Sequence, residues 1–416
     1  MKKVFFIGIC GVSMSALAVL LKRQGISVCG CDKSYDVLPK CLKDENIMVF
    51  SEDELYEICD CDMVVFSSAI KRDHAALILA REKRKKIISR GELLGIVAGG
   101  YEKVIAVAGS HGKSTTTAMI FHCLEAAGKN PTLHLGAMLA ESKTNVVCGE
   151  KEFFVCEACE YHDNFLHLYP YISVTTNIEK EHLDYFKTFE REKASFERFK
   201  SQSKIVVDRC EYSAKNIRVN KWGGVSFSIY GIDEKICKID LKVGGFYNAK
   251  NALFAFQACK ELGIKNEIIK RGLESFLGIQ KRLDRKVCFG KGVIVDYAHH
   301  PTEIKNCFNF LKKLPQKKRL VFQPHTYSRT KDFLKEFVKV LSCFDEVYLY
   351  KTFPAREKPK DGLSASQLCD AVKSSGKNAQ YIEDVSCVQK LISNQRNDEI
   401  TIIMGAGDLP EKLNIY

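Results

Sequence analysis

The sequence of 416 residues lacks several features that each define a class of protein. No apolar run is long enough to cross a membrane, so we expect no membrane-spanning segment. No long basic run and no basic-aromatic ribbon is present, so the net charge of +12 indicates anionic small substrates rather than nucleic acid. Internal repeats and low-complexity tracts are also absent. What remains is the composition of an ordinary globular protein, whose length predicts two or three domains.

The 18 cysteines are scattered, and their spacings are not those of a zinc site. The first twenty residues predict a strand, a turn and a helix, so we expect no signal peptide. Cysteines used in this way are typical of small core residues in a reducing compartment. We therefore expect a cytoplasmic protein, either a monomer or a homodimer.

Apolar strands alternate with amphipathic helices along the chain. One run begins with the strand "KKVFFIGI", a second with "KVIAVAG" and a third near "RLDRKVC". In the second run, 244–264 predicts a turn into a long helix, and the third run contains the predicted strands "VIVDYA", "RLVFQP", "EVYLY" and "ITIIMGAG". The stretch "GIVAGG" at 95–100 separates the first two runs and is typical of a linker. This alternation predicts parallel sheets covered by helices. The sequence therefore predicts an α/β protein of three domains.

The second run opens with a strand, a glycine loop and a helix, which is the pattern of a phosphate-binding loop. The usual loop has a glycine five residues before its Gly-Lys-Ser, but Val107 stands there and the nearest upstream glycine is Gly109. Gly109 and Gly112 let backbone amides approach phosphates closely. Lys113 would place a positive charge on the β- and γ-phosphates, and the Ser114 hydroxyl would bind Mg²⁺. We expect a nucleotide site with a short loop.

A second ligand for the metal is expected where neighbouring strands end. Glu157 ends the apolar strand "EFFVCE", and His182 follows the strand "YISVTTNI". A carboxylate and an imidazole at these positions can hold one or two Mg²⁺ ions near the γ-phosphate. Two alternatives stay open. A histidine among charged residues is more often a surface residue, and a cluster such as Glu160–Asp163 is more often a solvated turn.

Taken together, these segments resemble the Mur ligases, the ATP-dependent amino-acid-adding enzymes of peptidoglycan synthesis. The resemblance spans essentially the whole chain in collinear order, and it is closest to the members that add L-alanine to UDP-N-acetylmuramate. The motifs that carry it are "GICGVSMS", "SSAI", "GSHGKSTTT", "EACEYHDNFLHLYP", "TNIEKEHLDYF", "GFYNAKNAL", "GIQKRLD", "DYAHHPTEI", "VFQPHTYSRT" and "MGAGDL".

The resemblance implies an N-terminal Rossmann-like domain for the UDP-sugar (1–98), a central P-loop ATPase domain with a mostly parallel sheet (99–279) and a C-terminal Rossmann-like domain (280–416). It also implies the reaction. ATP, UDP-N-acetylmuramate and L-alanine would give ADP, phosphate and UDP-N-acetylmuramoyl-L-alanine through an acyl phosphate, with Mg²⁺ as cofactor. The expected partners are these small molecules, with no nucleic acid and no membrane.

The family motifs also assign roles to single residues. Lys113 would neutralise the γ-phosphate, while Ser114, Glu157 and His182 would be the metal ligands. His325 and Arg329 would lie near the incoming alanine, because an arginine can bind a carboxylate through two hydrogen bonds. The predicted catalytic residues are Lys113, Glu157, His182 and Arg329. The predicted ATP contacts are Gly109, Ser110, His111, Gly112, Lys113, Ser114, Thr115, Asn248, Asn251, Arg282 and Asp296. The predicted UDP-sugar contacts are Gly8, Gly11, Ser13, Asp32, Ser67 and Ser68.

Three features depart from the family pattern. Cys10 and Ser13 stand where the first-domain loop usually has glycine, and both are small enough to leave room for a diphosphate at the helix N-terminus. Tyr247 stands where the family has a histidine before Asn248. The segment 201–245 is shorter than in the family.

Three other functions remain as alternatives. A sibling ligase would attach a recycled peptide to the same UDP-sugar, since "HHPTEI" also resembles its motif, although "VFQPHTYSRT" fits the alanine-adding members better. A dinucleotide-binding oxidoreductase is suggested by "GICGVS" with Asp32 at the end of the second strand, but it does not explain the phosphate loop. An ATP-binding regulator without catalysis is opposed by the presence of Lys113, Glu157 and His182.

Overall fold

The computed structural model describes residues 2–221, 223–232, 234–355, 357–359 and 362–416, and at residues 183 and 184 it describes the backbone alone. The chain packs as two compact units. The first unit comprises Met1–Asn216, Phe227–Leu241 and Lys250–Leu277. The second unit comprises Ile217–Ser226, Lys242–Ala249 and Gly278–Tyr416.

The first unit begins with a five-stranded parallel sheet. Its strands are β1 (Lys3–Ile7), β2 (Ser27–Cys31), β3 (Met48–Phe50), β4 (Met63–Phe66) and β5 (Lys86–Ser89). The order β3-β2-β1-β4-β5 is that of a Rossmann half-domain. Four successive residues of β1 are fully buried, as expected for a central strand covered on both faces. The accompanying helices are α1 (Val12–Arg23), α2 (Lys40–Asp44), α3 (Ala75–Glu82) and α4 (Arg90–Ala98), with a 3₁₀ turn at Tyr56–Asp60.

A six-stranded sheet follows in the same unit. Its strands are β6 (Lys103–Ala108), β7 (Thr132–His134), β8 (Val146–Val147), β9 (Phe153–Glu157), β10 (Ile172–Thr175) and β11 (Ile205–Val207). The order is β11-β10-β6-β9-β7-β8, and only β8 pairs antiparallel, with β7. The carboxyl ends of β6, β9 and β10 therefore share one edge, where ligands of parallel sheets gather. The helices are α5 (Lys113–Ala126), α6 (Leu183–Phe186) and α7 (Phe189–Ser201), with a 3₁₀ segment at Tyr161–His167.

A small sheet and two helices occupy the middle of the chain. The sheet has the strands β12 (Ser213–Val219), β13 (Val225–Tyr230) and β14 (Lys235–Asp240), in that order. The helices are α8 (Tyr247–Glu261) and α9 (Asn266–Ser275). The sequence analysis predicted the turn and long helix of 244–264, which is confirmed by α8, but it did not predict this sheet.

The second unit contains a six-stranded sheet. Its strands are β15 (Asp284–Cys288), β16 (Lys291–Asp296), β17 (Lys317–Phe322), β18 (Glu346–Tyr350), β19 (Ala379–Ile382) and β20 (Glu399–Met404). The order is β15-β16-β20-β17-β18-β19, and only the β15-β16 hairpin is antiparallel. The helices are α10 (Pro301–Leu311), α11 (Tyr327–Asp332), α12 (Leu334–Leu341), α13 (Ala365–Ser374), α14 (Val385–Ser393) and α15 (Leu409–Lys412).

The predicted α/β class, with mostly parallel sheets in three successive α/β runs, is confirmed. The domain boundaries at 98/99 and 279/280 stay a prediction. Among the described residues, no helix combines the length and the apolar character needed to span a bilayer. All 18 cysteines are free, and most are partly or fully buried.

Candidate active site

The predicted phosphate loop joins β6 to α5, and its two glycines adopt backbone angles that other residues rarely take. Gly109 has φ +130°, and Gly112, at the N-cap of α5, has φ +84°. A Cβ at Gly109 would lie 2.3 Å from Thr176 Oγ1, and one at Gly112 would lie 2.5 Å from Asn251 Oδ1. Both distances are below any normal contact, so the loop requires glycine twice. The second contact also places the predicted ATP residue Asn251 directly against the loop.

The end of β10 fixes the shape of the loop. The side-chain amide of Asn177 makes two hydrogen bonds with the backbone of His111. Its Oδ1 accepts from His111 N at 3.0 Å, and its Nδ2 donates to His111 O at 2.9 Å. Thr176 Oγ1 also donates to His111 O, at 2.6 Å. Ser110 N donates to Asn177 O at 3.1 Å, and Glu179 N donates to Ser110 Oγ at 2.8 Å. The loop is therefore preorganised by the neighbouring strand, a support that the sequence analysis did not predict.

Lys113 begins α5 and forms an ion pair with Glu160, in which the carboxylate is buried and the lysine side chain is partly buried. Its Nζ lies 3.1 Å from Glu160 Oε1 and also donates to the loop carbonyls of Gly109 and Ser110. Burial penalises both charges, but their mutual attraction is larger. It raises the pKa of Lys113 above its ordinary value and, with help from His182, lowers that of Glu160 to about 2. The site therefore holds a fixed positive charge at the mouth of the loop. The predicted contacts Ser114 and Thr115 follow in the first turn of α5.

Three side chains meet beside Lys113 with the chemistry of a metal site. One ligand atom from each of Glu160, Glu181 and His182 lies within 4.8 Å of the others. Glu160 is 2 % exposed, and its Oε2 has no hydrogen-bond partner among the described residues. Two carboxylates and an imidazole suit a divalent cation. The interpretation of Glu160–Asp163 as a solvated turn is wrong at Glu160, because this carboxylate is buried against Lys113.

Glu157 occupies the strand end where the sequence analysis expected a metal ligand. It closes β9 opposite Val107 of β6, one strand away from the loop. Its Oε1 accepts a hydrogen bond from Gly136 N at 2.7 Å, and among the described residues it is not part of the three-residue cluster. Asp163 is also engaged elsewhere, by the Tyr185 hydroxyl at 2.6 Å. The metal role of Glu157 stays a prediction, whereas His182 does lie in the cluster.

The predicted UDP-sugar residues gather at the carboxyl end of the first sheet. Gly8 turns the chain out of β1 with φ +79°, and a Cβ there would lie 3.8 Å from Ser67 Cβ. Asp32 follows β2 and accepts from Cys10 N at 2.9 Å and from Ser34 N at 3.0 Å. The contact of Cys10 with Asp32 is made by the backbone amide and does not depend on the side chain that replaces the family glycine. The remaining predicted contacts on this edge are Gly11, Ser13 and Ser68.

In the second unit, Arg282 lies close enough to Asp296 for its charge to act on that carboxyl group, while the role of both residues as ATP contacts stays a prediction. Asp296 is 1 % exposed and accepts from Leu283 N and Ala298 N, each at 2.7 Å. Burial raises the pKa of Asp296, although Arg282 opposes this. Asn248 Nδ2 donates to Gly244 O at 2.6 Å, which fixes its amide at the start of α8.

The other predicted cluster of the second unit consists of His325 and Arg329, and the structure adds His299. The rings of His299 and His325 are 5.6 Å apart. Burial and the charge of Arg329 lower the pKa of His325 to about 4, and burial lowers that of His299 to about 3. His325 Nδ1 and Arg329 Nη1 are buried without a partner among the described residues. Glu357 Oε2 accepts from Tyr327 N at 2.7 Å, which anchors α11 beside this cluster.

The structure thus brings together Lys113 with His182, Gly112 with Asn251, Arg282 with Asp296, and His325 with Arg329. The sequence did not predict the roles of six residues of these clusters, which are Glu160, Thr176, Asn177, Glu181, His299 and Glu357. Glu181 and His299 were visible in quoted motifs, beside His182 and within "DYAHHPTEI".

Comparison with known proteins supports the resemblance to the Mur ligases along the whole chain. Family models described as Mur ligase family, catalytic domain; Mur ligase middle domain; and Mur ligase, glutamate ligase domain match residues 3–102, 107–207 and 281–407. The sequence is 36 % identical to the UDP-N-acetylmuramate–L-alanine ligase of Caldicellulosiruptor saccharolyticus, over 98 % of this chain and 97 % of that protein. It is 35 % identical to the ligase of the same name from Clostridium acetobutylicum, over 98 % and 96 %.

Solved structures of similar proteins share the fold of this chain. UDP-N-acetylmuramate-alanine ligase MurC from Thermotoga maritima superposes with a TM-score of 0.86 at 26 % identity, over 100 % of this chain and 98 % of that one. A murein peptide ligase from Psychrobacter arcticus shares the fold, with a TM-score of 0.70 at 21 % identity and the same coverage. The full-length matches and the assembled phosphate loop lead to one conclusion: the chain belongs to the Mur ligase family.

Proposed function

We propose that the protein is an ATP-dependent ligase that joins L-alanine to the lactyl carboxylate of UDP-N-acetylmuramate, in the cytoplasm, for peptidoglycan synthesis. The observation that carries this proposal is the partly buried Lys113, which lies beside the cluster of Glu160, Glu181 and His182 at a preorganised phosphate loop. The choice of substrates is supported by the full-length relatives that carry this activity in their names.

A carboxylate does not react with an amine at neutral pH, because an oxide ion is too poor a leaving group. Transfer of the γ-phosphoryl group of ATP to the carboxylate gives an acyl phosphate, whose leaving group is inorganic phosphate. Attack by the alanine amine then gives the amide, ADP and phosphate. Lys113 contributes by spreading the charge of the phosphoryl group as it transfers, and the fixed loop contributes by positioning it.

Mg²⁺ fits the cluster, since hard oxygen donors are present and Glu160 has one carboxylate oxygen without a partner among the described residues. Glu160, Glu181 and His182 would hold it, and Ser114 and Glu157 remain further proposed ligands. When bound, the ion would neutralise phosphate charge and orient ATP. The chain's own contribution is to keep Glu160 ionised, which Lys113 ensures by lowering its pKa.

The second unit offers a place for the amino acid. Arg329 has one guanidinium nitrogen without a partner among the described residues, and we propose that it binds the alanine carboxylate. His325 and His299 are neutral at pH 7, because burial lowers the pKa of both rings. A neutral imidazole can accept the proton that the amine loses. His325 is therefore a proposed proton acceptor as well as part of the alanine site.

The proposal is tested by phosphate release from ATP with UDP-N-acetylmuramate and a panel of amino acids, and by the mass of the product. We expect release that depends on L-alanine and a product heavier by one alanyl residue. The tripeptide substrate of the sibling ligase serves as the competing arm. Turnover with the tripeptide but not with alanine would show that the sibling activity is the correct one. Phosphate release without any added amino acid would contradict a ligase.

A further inference from the structure

The first turn of α1 is held by the β7-β8 hairpin of the same unit. Ser13 Oγ lies 3.1 Å from His134 Nε2, and Ser13 O lies 3.4 Å from the same nitrogen. Asn145 Nδ2 donates to Val12 O at 2.5 Å. His134 is 2 % exposed and Asn145 is fully buried, so neither side chain is free to move. The hairpin therefore fixes the start of α1 at two successive residues.

The contacts of His134 decide which of its nitrogens carries the proton. A carbonyl oxygen only accepts, so the contact with Ser13 O requires a proton on Nε2. Burial, together with the charge of Arg90, lowers the pKa of His134 to about 4, so the ring carries one proton at pH 7. In this tautomer Nδ1 is the unprotonated nitrogen, and it is buried without a partner among the described residues.

This tautomer determines what the Ser13 hydroxyl can do. Nε2–H of His134 donates to Ser13 Oγ, so the hydroxyl keeps its own proton for another acceptor. In the part of the chain that the structure describes, Ser13 Oγ has no hydrogen-bond partner besides this donor, so its proton is left for a ligand. The N-terminus of α1 itself favours an anion, because the helix has no acidic residue in its first turn. The carboxylate of Asp32 lies on this edge and accepts from the Cys10 amide before the helix begins.

We propose that His134 is a positioning residue for the UDP-sugar, because it orients Ser13 so that the serine hydroxyl donates to a diphosphate oxygen at the N-terminus of α1. The inference rests on the proposed function, which supplies the UDP-sugar as the ligand. Ser13 stands at a position where the family pattern has glycine. In this chain the Ser13 hydroxyl is therefore a further hydrogen-bond donor. His134 orients this hydroxyl by donating a hydrogen bond to Ser13 Oγ.

Steady-state kinetics with three single variants test the proposal. Ser13→Ala removes the donor, and we expect KM for UDP-N-acetylmuramate to rise about tenfold, the effect of one hydrogen bond to a charged group. His134→Val leaves Ser13 unoriented and is expected to raise the same KM about fivefold. In both variants kcat and the KM values for ATP and alanine are expected to stay within twofold. His134→Gln keeps an N–H donor and is expected to restore a near-native KM.

A double variant separates orientation from simple structural damage. If His134 acts through Ser13, then His134→Val adds nothing to the KM of Ser13→Ala. Multiplied effects, or a His134→Val enzyme with native KM, would refute the proposal. His122→Gln is a matched control, since His122 is another largely buried histidine of this unit, and it is expected to leave the KM for the UDP-sugar unchanged.

Two direct measurements complete the test. Titration calorimetry with UDP-N-acetylmuramate, without ATP, is expected to show the same loss of affinity in Ser13→Ala. Nitrogen-15 spectra of the histidine rings are expected to show His134 neutral with its proton on Nε2, and a proton on Nδ1 would overturn the assignment. A native enzyme that neither binds nor uses the UDP-sugar would instead reject the proposed function. Native turnover with an unaffected Ser13→Ala variant rejects only this inference.

Discussion

Lys113 and Glu160 define the candidate site at the scale of single residues, because each stabilises the charge of the other in a buried position. A buried ion pair adds little to stability compared with apolar residues, yet breaking it is costly, since one charge remains uncompensated. The pair is therefore better understood as a device that keeps a lysine charged and aimed at the loop. Replacing Lys113 is therefore expected to change activity and stability by different amounts.

Lys113→Ala is expected to lower phosphate release at least 100-fold, because a preorganised charge at the transferring group is lost. It is also expected to destabilise the fold by about 3 kcal/mol, because the buried Glu160 loses its lysine partner and retains His182, at 3.5 Å. The double variant Lys113→Ala with Glu160→Gln should recover most of that stability while staying inactive. Thermal unfolding and the phosphate assay measure the two effects. Lys129→Ala, at an exposed lysine, is the control, and comparable activity in Lys113→Ala would remove Lys113 from the mechanism.

His122 gives the protein a pH-dependent contribution to stability. Burial opposes its charge, but Glu125 at 3.3 Å and Glu141 at 3.0 Å outweigh this and raise its pKa to about 9. Since the folded pKa exceeds the unfolded value, the stabilisation is complete below about pH 6.5 and is lost as the pH rises to about 9. Glu125 is half exposed, so we expect about 1–2 kcal/mol after screening. Unfolding of His122→Gln should therefore differ most from native at pH 6 and little above pH 9.5, and a constant difference would exclude this assignment.

At the scale of elements, the sequence predicted the strand, loop and helix of the phosphate site, because glycines and the Gly-Lys-Ser spacing are local signals. It did not predict that Thr176 and Asn177 hold the loop, since that contact depends on β10 pairing beside β6. It also predicted that Glu157 ends a strand, which β9 confirms. It did not predict that the Glu160 side chain is buried. The backbone after Glu160 has positive φ at His162 and Asp163. Histidine and aspartate adopt such angles more often than most residues, but their presence alone does not specify where the chain turns.

Helix α5 allows a matched comparison of two glycines, one at each end. Gly112 and Gly128 both have positive φ, but a Cβ meets Asn251 Oδ1 at 2.5 Å only at Gly112, whereas nothing lies within 4 Å at Gly128. Gly112→Ala is therefore expected to lower kcat/KM for ATP at least 100-fold. Gly128→Ala should cost about 1 kcal/mol of stability from strain and leave activity near native. Kinetics and thermal unfolding of both variants measure this, and equal kinetics in the two would show that the loop tolerates displacement.

At the scale of the whole molecule, the alternation of strands and helices was sufficient to predict three α/β runs, because parallel sheets leave that pattern in the sequence. The strands predicted at "VIVDYA", "RLVFQP", "EVYLY" and "ITIIMGAG" are confirmed as β16, β17, β18 and β20. The small sheet of β12, β13 and β14 was missed. Its strand β12 is mostly exposed, so it has neither the apolar run of a central strand nor a clear alternation.

The net charge of +12 adds a long-range effect that belongs to no single residue. The proposed UDP-sugar and ATP are both polyanions, whereas alanine is a zwitterion without net charge. A basic protein attracts the two polyanions at long range, and salt weakens this attraction. The Debye length falls from about 14 Å at 50 mM salt to about 6 Å at 300 mM. We therefore expect kcat/KM for UDP-N-acetylmuramate to fall about threefold over this range of potassium chloride, while that for alanine stays nearly constant. Alanine is thus the internal control in the same assay. An equal fall for both substrates would show that salt acts on the enzyme itself and not on the encounter.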